Sequence, residues 1–262
     1  MKLQDKTVIV TGAGNGIGAA IACRFAREKP RGVVVADIDE ARAEQVAGKI
    51  RPLGVDAMAC RTDVGDPVQV GNLVSAAERA YGAVDVVCSN AGIATGMGVH
   101  AAETLWARSW AVNVLAHVYL AQAVIPSMSV RREGHFLITA SAAGLLGLPG
   151  DAPYSVTKHA AVGLAEWLAV TYRRAGIGVS VLCPLGVRTE LLMPGVAAGH
   201  PAARTVASFA PILEPDEVAE ATLRGIVAER FLILPHQEVA EMYAKKAADP
   251  ETWLAETQRE AR

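Results

Sequence analysis

Residues 7–22 of this chain read TVIVTGAGNGIGAAIA, and this stretch decides the fold. Its first four residues are β-branched, which favours a short strand, and its last four are mostly alanine, which favours a helix. Between them lie four glycines within positions 12–18. The stretch therefore predicts a strand, a tight glycine-rich turn and the start of a helix.

A turn of this kind is suited to hold a phosphate. Glycine permits positive φ angles and lacks the Cβ atom that would keep a pyrophosphate away from the first N–H groups of the helix. A tight turn with no ligand is the structural alternative. A P-loop needs Gly-Lys followed by Ser or Thr, and the only Gly-Lys pair, Gly48-Lys49, is followed by Ile50. The pattern thus favours a dinucleotide over a P-loop nucleotide.

The residue that follows the second predicted strand favours one dinucleotide over the other. Val33–Ala36 reads as that strand, and Asp37 ends it about 20 residues beyond the turn. A carboxylate there accepts hydrogen bonds from the ribose hydroxyls and repels a 2′-phosphate. No Arg or Lys lies between Asp37 and Glu40 to neutralise it. We therefore predict NAD as the cofactor.

Composition excludes several classes of protein. The net charge of -2 and scattered basic pairs give no general attraction to nucleic acid. The four cysteines lack CxxC spacing and the histidines lack an HExxH pattern, so we expect reduced thiols and no metal. The charge-free stretches 7–23 and 134–150 contain several glycines and fall short of the ~20 apolar residues of a membrane span. With no signal-peptide pattern, the sequence predicts a soluble, cytoplasmic protein without a membrane partner.

Helical and strand-like segments alternate after Asp37. This alternation predicts a doubly wound parallel sheet of about seven strands with helices on both faces, a Rossmann fold within a single domain over residues 1–262. The predicted helices are Glu40–Ile50, Pro67–Tyr81, Glu103–Met128, Tyr154–Ala175 and Pro215–Glu229. The later strands are predicted at 56–60, 84–88, 135–139, just before Cys183, and at 231–234. Functional residues of such a sheet lie just after its strands.

Several polar residues occupy such positions. Asp63 follows the third strand and is either an adenine contact or a turn residue; Asn90-Ala91-Gly92 follows the fourth and is either a dinucleotide contact or a structural turn. Ser141 lies just past the fifth strand.

The helix after the fifth strand carries Tyr154 and Lys158, which are four residues apart and share a helix face. To act as a base near neutral pH, a phenol must have its pKa lowered from ~10, and a lysine cation together with oxidised nicotinamide would do this. Within the preceding helix, His117 reads as a packing residue, whereas Asn113 is unusual because Asn competes for backbone hydrogen bonds.

Together these residues make the chain resemble the short-chain dehydrogenase/reductase family from about Asp5 to Leu234. Thr11-Gly12 with Gly16 and Gly18 resembles the family's cofactor turn, and Ser141 and Tyr154 have its usual separation of 13. The resemblance implies a catalytic tetrad of Asn113, Ser141, Tyr154 and Lys158. The cofactor contacts it implies are Gly12, Asn15, Gly16, Ile17, Gly18, Asp37, Asp63, Val64, Asn90, Ala91, Gly92, Tyr154, Lys158, Pro184, Val187 and Thr189.

The resemblance also implies the role of each catalytic residue. Tyr154 exchanges the proton of the alcohol, and Ser141 hydrogen-bonds the carbonyl oxygen. Lys158 binds the nicotinamide ribose and lowers the pKa of Tyr154. Asn113 shapes its helix so that a water can join Lys158 to solvent. Hydride passes directly between the substrate and nicotinamide, so no metal is needed.

Past the sixth strand the chain departs from the family. Pro184, Val187 and Thr189 match, but Leu185 stands where the family usually has Gly. By the resemblance, residues 191–213 form a mobile lid over the substrate. The apolar character of this segment, which includes Met193 and Phe209, suggests a hydrophobic alcohol or ketone. Residues 236–262 are expected to form a helical tail anchored by Trp253 and Leu254 that could dock on a neighbouring subunit. The family is commonly a homodimer or homotetramer through its two long helices.

The sequence therefore predicts an NAD-dependent short-chain alcohol dehydrogenase or ketone reductase with a small-molecule substrate. An NADPH-dependent carbonyl or ketoacyl reductase is the first alternative, although Asn15 stands where NADPH users often carry a basic residue. A catalytically silent dinucleotide-binding sensor or scaffold is the second, motivated by Leu185. A serine hydrolase is disfavoured because Ser141 lacks the GxSxG elbow.

Overall fold

Seven parallel strands form one sheet in the computed structural model, which describes residues 1–260. The order across the sheet is β3-β2-β1-β4-β5-β6-β7: β2 and β3 are added on one side of β1, and β4 to β7 on the other. This confirms the predicted single-domain Rossmann fold, and it places a crevice at the carboxyl ends of the central strands. The strands are β1 (Thr7–Thr11), β2 (Gly32–Asp37), β3 (Asp56–Arg61), β4 (Val86–Ser89), β5 (Gly134–Thr139), β6 (Ile177–Leu182) and β7 (Leu232–Ile233).

Helices connect the strands and cover both faces of the sheet. They are α1 (Gly16–Ala26), α2 (Glu40–Ile50), α3 (Pro67–Tyr81), α4 (Glu103–Trp110), α5 (Ala116–Arg131), α6 (Ala143–Leu146), α7 (Ala152–Tyr172), α8 (Met193–Ala197), α9 (Pro201–Phe209), α10 (Pro215–Val227), α11 (Glu238–Ala248) and α12 (Pro250–Glu260). A π-helical turn at Ala111–Leu115 joins α4 to α5, and 3₁₀ turns follow α2 and α7.

Two apolar cores lie on opposite faces of the sheet because successive strand side chains point to opposite sides. Ile9 of β1 belongs to the core that α3, α5 and α7 cover. Its neighbour Val8 belongs to the core that α1, α2 and α10 cover. Since β1 and β2 are covered on both faces, their residues are almost all fully buried, which explains the continuous apolar runs in the sequence.

Local signals place the ends of α2 and α3 well, where the sequence has a capping aspartate and helical periodicity. The bounds of α2 and α3 agree with the prediction, and Asp66 caps α3 by accepting a hydrogen bond from the Val68 N–H at 2.9 Å. The predicted helix Glu103–Met128 instead extends to Arg131 and contains the π turn. The predicted start at Tyr154 was two residues late, because Asp151 caps α7.

The segment Glu103–Arg131 is long and apolar enough to cross a membrane by length and composition alone. However, 56% of its apolar 18-residue window is buried inside the fold. A core helix of a globular protein has the same properties, so this segment gives no membrane assignment.

The predicted tail forms α11 and α12, while residues 261 and 262 lie outside the described part of the chain. Trp253 is buried against its own chain, as expected of an anchor. Leu254 is 61% exposed, so it does not anchor the tail to its own chain, and its contact with a neighbouring subunit stays a prediction. The two residues are adjacent on a helix, which turns about 100° per residue, and they therefore cannot face the same surface.

Candidate active site

One cleft brings together the residues that the sequence singled out. Its walls are the segments that follow β1, β2, β3, β4, β5 and β6. Ser141, Tyr154 and Lys158 line it, whereas Asn113 is fully buried behind its wall. All the predicted cofactor contacts line the same cleft: Gly12, Asn15, Gly16, Ile17, Gly18, Asp37, Asp63, Val64, Asn90, Ala91, Gly92, Tyr154, Lys158, Pro184, Val187 and Thr189.

The glycine turn forms a cradle that larger residues would fill. Gly12 has a φ of +60°, and a Cβ atom there would lie 2.7 Å from the Cα of Ala91. A Cβ on Gly18 would collide with the carbonyl oxygen of Gly12. The Asn90 amide donates to the Thr11 carbonyl at 3.0 Å and so fixes the turn against β4. The turn is therefore held in a conformation that leaves room for a pyrophosphate beside the N-terminus of α1.

Asp37 lies at the end of β2 on the edge of this cradle. Its Oδ2 accepts a hydrogen bond from the Gly14 N–H at 2.8 Å, and its Oδ1 accepts one from the Asp39 N–H at 3.0 Å. The carboxylate is thus held by backbone groups where a ribose would lie. This position fits the ribose of a dinucleotide.

Arg42 also lies close to this ribose position, and sequence reasoning missed it. A Cβ built on Gly14 would lie 2.9 Å from both the Arg42 Cβ and the Asp37 carboxyl carbon, so both side chains lie close to Gly14. The Arg42 guanidinium contacts Glu190 at 2.6 Å and Asp39 at 3.3 Å. The first turn of α2 brings Arg42 back towards Asp37. The prediction missed this cation because it considered only the residues between Asp37 and Glu40.

Asp63 has a clear structural role in its turn. Its Oδ1 accepts hydrogen bonds from the Gly65 N–H at 2.9 Å and from Arg108 at 3.1 Å. Arg108 comes from α4, 45 residues further along, and also lines the cleft. Asp63 is therefore a turn residue that also lies on the cleft wall.

The part of the cleft between β5 and α7 contains Ser141, Tyr154 and Lys158. The Lys158 Nζ lies 5.6 Å from the centroid of the Tyr154 ring and donates to the Thr139 carbonyl at 2.8 Å. The Ser141 Oγ accepts from the Ala143 N–H at 3.1 Å. A hydroxyl, a phenol and an amine thus line the same part of the cleft.

Burial changes the acidity of both groups on α7. It raises the pKa of Tyr154 to about 12, and the Ser141 side chain opposes this while Asp151 adds to it. Burial also lowers the pKa of Lys158 to about 8. The protein groups by themselves therefore shift the pKa of Tyr154 in the opposite direction from the one that a base near neutral pH requires.

Asn113 lies within the π turn and ties two elements together. Its Oδ1 accepts from the Ile93 N–H and its Nδ2 donates to the Ile93 carbonyl, both at 2.9 Å. Its Nδ2 also donates to the Thr157 hydroxyl at 3.0 Å, next to Lys158. The sequence grouped Asn113 with the catalytic residues, but its side chain contacts the protein and not the cleft. Its contacts position the loop after β4 against α7.

Asp151 is a second residue that sequence reasoning missed. Its carboxylate accepts four hydrogen bonds, from the Tyr154 N–H, the Thr95 N–H and hydroxyl, and the Gly96 N–H. Its place just before Ala152-Pro153 is a recognisable N-cap signal with Pro in the first turn. Its link to the loop after β4 has no signal in the sequence, because the partners lie 55 and 56 residues away.

The predicted lid, residues 191–213, contributes apolar side chains from α9 and from the residues just before α8 to the cleft. Leu191, Leu192, Ala202 and Val206 line it. The His200 Nε2 donates to the Gly96 carbonyl at 3.0 Å, which joins this segment to the loop after β4. That the segment opens and closes stays a prediction.

Comparisons with known proteins show which family the chain resembles. A family model described as short chain dehydrogenase matches residues 6–198. The chain is 34% identical over 240 residues to 17-beta-hydroxysteroid dehydrogenase 13 of Mus musculus, covering 88% of this chain and 74% of that protein. It is also 34% identical over 246 residues to 1-deoxy-11-beta-hydroxypentalenate dehydrogenase of Streptomyces exfoliatus, covering 91% and 86%.

A solved structure is similar over almost the whole length. It is a short chain dehydrogenase/reductase from Burkholderia phymatum in complex with NAD, with a TM-score of 0.87, 30% sequence identity and 96% of each chain covered.

Proposed function

This chain belongs to the short-chain dehydrogenase family, and from that premise we propose that it is an NAD-dependent oxidoreductase that interconverts a secondary alcohol and a ketone. The observation that carries the proposal is the shared cleft, which is lined by the glycine turn, by Asp37 and by the Ser141, Tyr154 and Lys158 side chains. When bound, the nicotinamide supplies hydride acceptance or donation at C4. The NAD complex of the similar Burkholderia phymatum protein supports the choice of cofactor.

The glycine turn and Asp37 would hold the adenosine half of the dinucleotide. The turn offers the N–H groups of the first turn of α1 to the pyrophosphate. Asp37, whose oxygens already accept two backbone hydrogen bonds, has lone pairs left for the ribose hydroxyls. Lys158 would hold the nicotinamide ribose at the other end.

Tyr154 would move the proton. In oxidation its phenolate takes the alcohol proton, and in reduction its phenol donates a proton to the carbonyl oxygen. Ser141 donates a hydrogen bond to the same oxygen and so stabilises the charge that develops there. Because burial raises the pKa of Tyr154, formation of the phenolate depends on nearby positive charge, which Lys158 and an oxidised nicotinamide would both supply. We assign Asn113 to positioning rather than to proton transfer, since its side chain is occupied by Ile93 and Thr157.

The lining favours a neutral, hydrophobic substrate. Among the described residues that line the cleft, the basic side chains are Arg108, which pairs with Asp63, and Lys158, which lies beside Tyr154. No further cation among them is available to a substrate carboxylate or phosphate. Six large or branched apolar side chains also line the cleft: Ile93, Leu148, Leu185, Leu191, Leu192 and Val206. A secondary alcohol on a hydroxysteroid-like skeleton, the class in the name of one relative, would suit this lining.

An NADPH-dependent carbonyl reductase is a second candidate because of Arg42. Its guanidinium could pair with a 2′-phosphate if it left Glu190 and Asp39. Calorimetric titration of the purified protein with NADH and with NADPH tests the choice without a known substrate. Affinity for NADH at least about tenfold tighter, near 1.4 kcal/mol, is expected. Tighter binding of NADPH would favour the NADPH-dependent carbonyl reductase instead. Binding of neither dinucleotide would favour a protein that is not an enzyme.

We also propose a homo-oligomer, dimeric or tetrameric, in the cytoplasm. The helix α7 presents Trp167 and Val170 to solvent, with 58% and 83% of these residues exposed. Large apolar side chains on one exposed helix are typical of a surface that another subunit covers.

A further inference from the structure

His236 bridges two consecutive residues of the loop that follows β6, Leu185 and Gly186. Its Nδ1 accepts a hydrogen bond from the Leu185 N–H at 3.2 Å, and its Nε2 donates to the Gly186 carbonyl at 3.0 Å. The side chain is almost completely buried, with 2% of the residue exposed. One imidazole therefore satisfies a donor and an acceptor of the loop, and it can do so only as the neutral tautomer that carries its proton on Nε2.

The loop held by His236 lies between the catalytic serine and the lid. The Pro184 carbonyl accepts from the Ala142 N–H at 2.8 Å, one residue beyond Ser141. The Leu185 side chain lines the cleft. A Cβ on Gly186 would lie 3.2 Å from a methyl group of Val206 in α9, so the lid rests directly on this loop.

The surroundings of His236 keep its ring neutral. Burial lowers its pKa, which outweighs the opposing effects of the Gly186 and Pro211 carbonyls and of the Glu238 and Glu217 carboxylates. A second proton would place an N–H on Nδ1 against the Leu185 N–H, and the first hydrogen bond would be lost.

We propose that His236 is a positioning residue for the cofactor site: it fixes the backbone of Leu185 and Gly186, so that Pro184 and Val187 stand correctly at the nicotinamide end of the cleft. This inference rests on the proposed function, because it assumes that the cleft binds a dinucleotide. The His236 side chain holds the loop backbone without lining the cleft.

Three variants separate this role from general stability. His236→Leu removes both hydrogen bonds and keeps an apolar side chain. His236→Asn retains an acceptor near the position of Nδ1. His135→Leu is the matched control, because His135 is also a buried histidine, but its Nε2 contacts Ser180 at 2.9 Å and it lies at the amino end of the sheet.

Two measurements are made on each variant: hydrogen exchange of the Leu185 amide and calorimetric titration with NADH. For His236→Leu we expect faster exchange at Leu185 and an NADH dissociation constant raised about tenfold, the size of one lost buried hydrogen bond. His236→Asn should recover most of both effects. His135→Leu should lower the melting temperature without changing either measurement. If His236→Leu does not fold, His236→Gln, which keeps only a donor near the position of Nε2, replaces it.

The inference is overturned if a folded His236→Leu or His236→Gln protein shows protected Leu185 exchange or binds NADH as the wild type does. A wild-type protein that binds neither NADH nor NADPH would overturn the proposed function instead, and this inference with it. The wild-type titration therefore tells the two failures apart.

Discussion

The carboxylate of Asp151 accepts a hydrogen bond from the backbone N–H of Tyr154 at 2.9 Å, which fixes the first turn of the helix that carries the phenol. The same carboxylate accepts from the N–H groups of Thr95 and Gly96, both at 2.6 Å. One buried side chain therefore sets the position of Tyr154 relative to the loop after β4.

Asp151→Ala should lower the free energy of unfolding by about 2–3 kcal/mol, because it removes an N-cap and leaves further backbone donors without partners. Asp66→Ala is the control, since Asp66 caps α3 on the exposed surface and should cost only about 1 kcal/mol. Urea unfolding measures both. Equal losses in the two variants would show that the link to Thr95 and Gly96 adds nothing.

Tyr154→Phe should abolish nearly all turnover, by about 10²–10⁴-fold, because it removes the group that moves the proton. Binding of NADH should stay close to that of the wild type, since the ring and its neighbours remain. Turnover is measured on a panel of neutral secondary alcohols and ketones. Tyr119→Phe, which changes a partly buried phenol on α5, is the matched control. Undiminished turnover in Tyr154→Phe would exclude this residue as the acid and base.

Asp37→Ala should weaken NADH binding by about tenfold and strengthen NADPH binding, because it removes ribose acceptors and the repulsion of a 2′-phosphate. The gain in NADPH affinity should require Arg42, whose guanidinium is the nearby cation. The double variant Asp37→Ala/Arg42→Ala should therefore lose that gain. Calorimetry measures the wild type and both variants with each cofactor, six combinations in all. An equal gain in NADPH affinity in both variants would rule out Arg42 as a phosphate partner.

Lys158→Met should make the protein more stable at pH 7 while abolishing turnover. The pKa of Lys158 falls from 10.5 in the unfolded chain to about 8 in the fold, so between these values the unfolded state binds more protons and stability rises with pH. At pH 7 the buried charge thus lowers the free energy of unfolding by up to about 3 kcal/mol, at ~1.4 kcal/mol per pKa unit. In Lys158→Met the lost hydrogen bond to Thr139 offsets part of the gain.

Urea unfolding at pH 7 and pH 9.5 tests this assignment. The wild type should gain more stability over this range than Lys158→Met, since the other titrating groups are common to both proteins. Equal changes with pH in the two proteins would mean that Lys158 is not a source of the pH dependence.

Val170→Glu should convert an oligomer into a smaller species, because 83% of this residue is exposed on α7 and a charge there would be buried by a subunit packed on that helix. Val68→Glu on α3 is the control, where 69% of the residue is exposed. Light scattering after size-exclusion chromatography measures the mass. A monomeric wild type would contradict the proposed assembly.

The sequence by itself determined the fold and most of the cleft. The β-branched run, the glycine turn and Asp37 follow one another within about 30 residues, and each acts through backbone preference or local hydrogen bonding. The bounds of α2 and α3 follow from a capping aspartate and helical periodicity. These signals act between residues that are close in the sequence, so they can be recognised without the tertiary structure.

Only the tertiary structure determined which side chains connect the segments that form the cleft. Arg108 reaches Asp63 across 45 residues, Asp151 reaches Thr95 across 56, and His236 reaches Leu185 across 51. The order of strands in the sheet, rather than the spacing in the chain, creates these contacts. Burial likewise raises the pKa of Tyr154 and lowers that of Lys158, and burial is a property of the folded environment that no residue carries by itself.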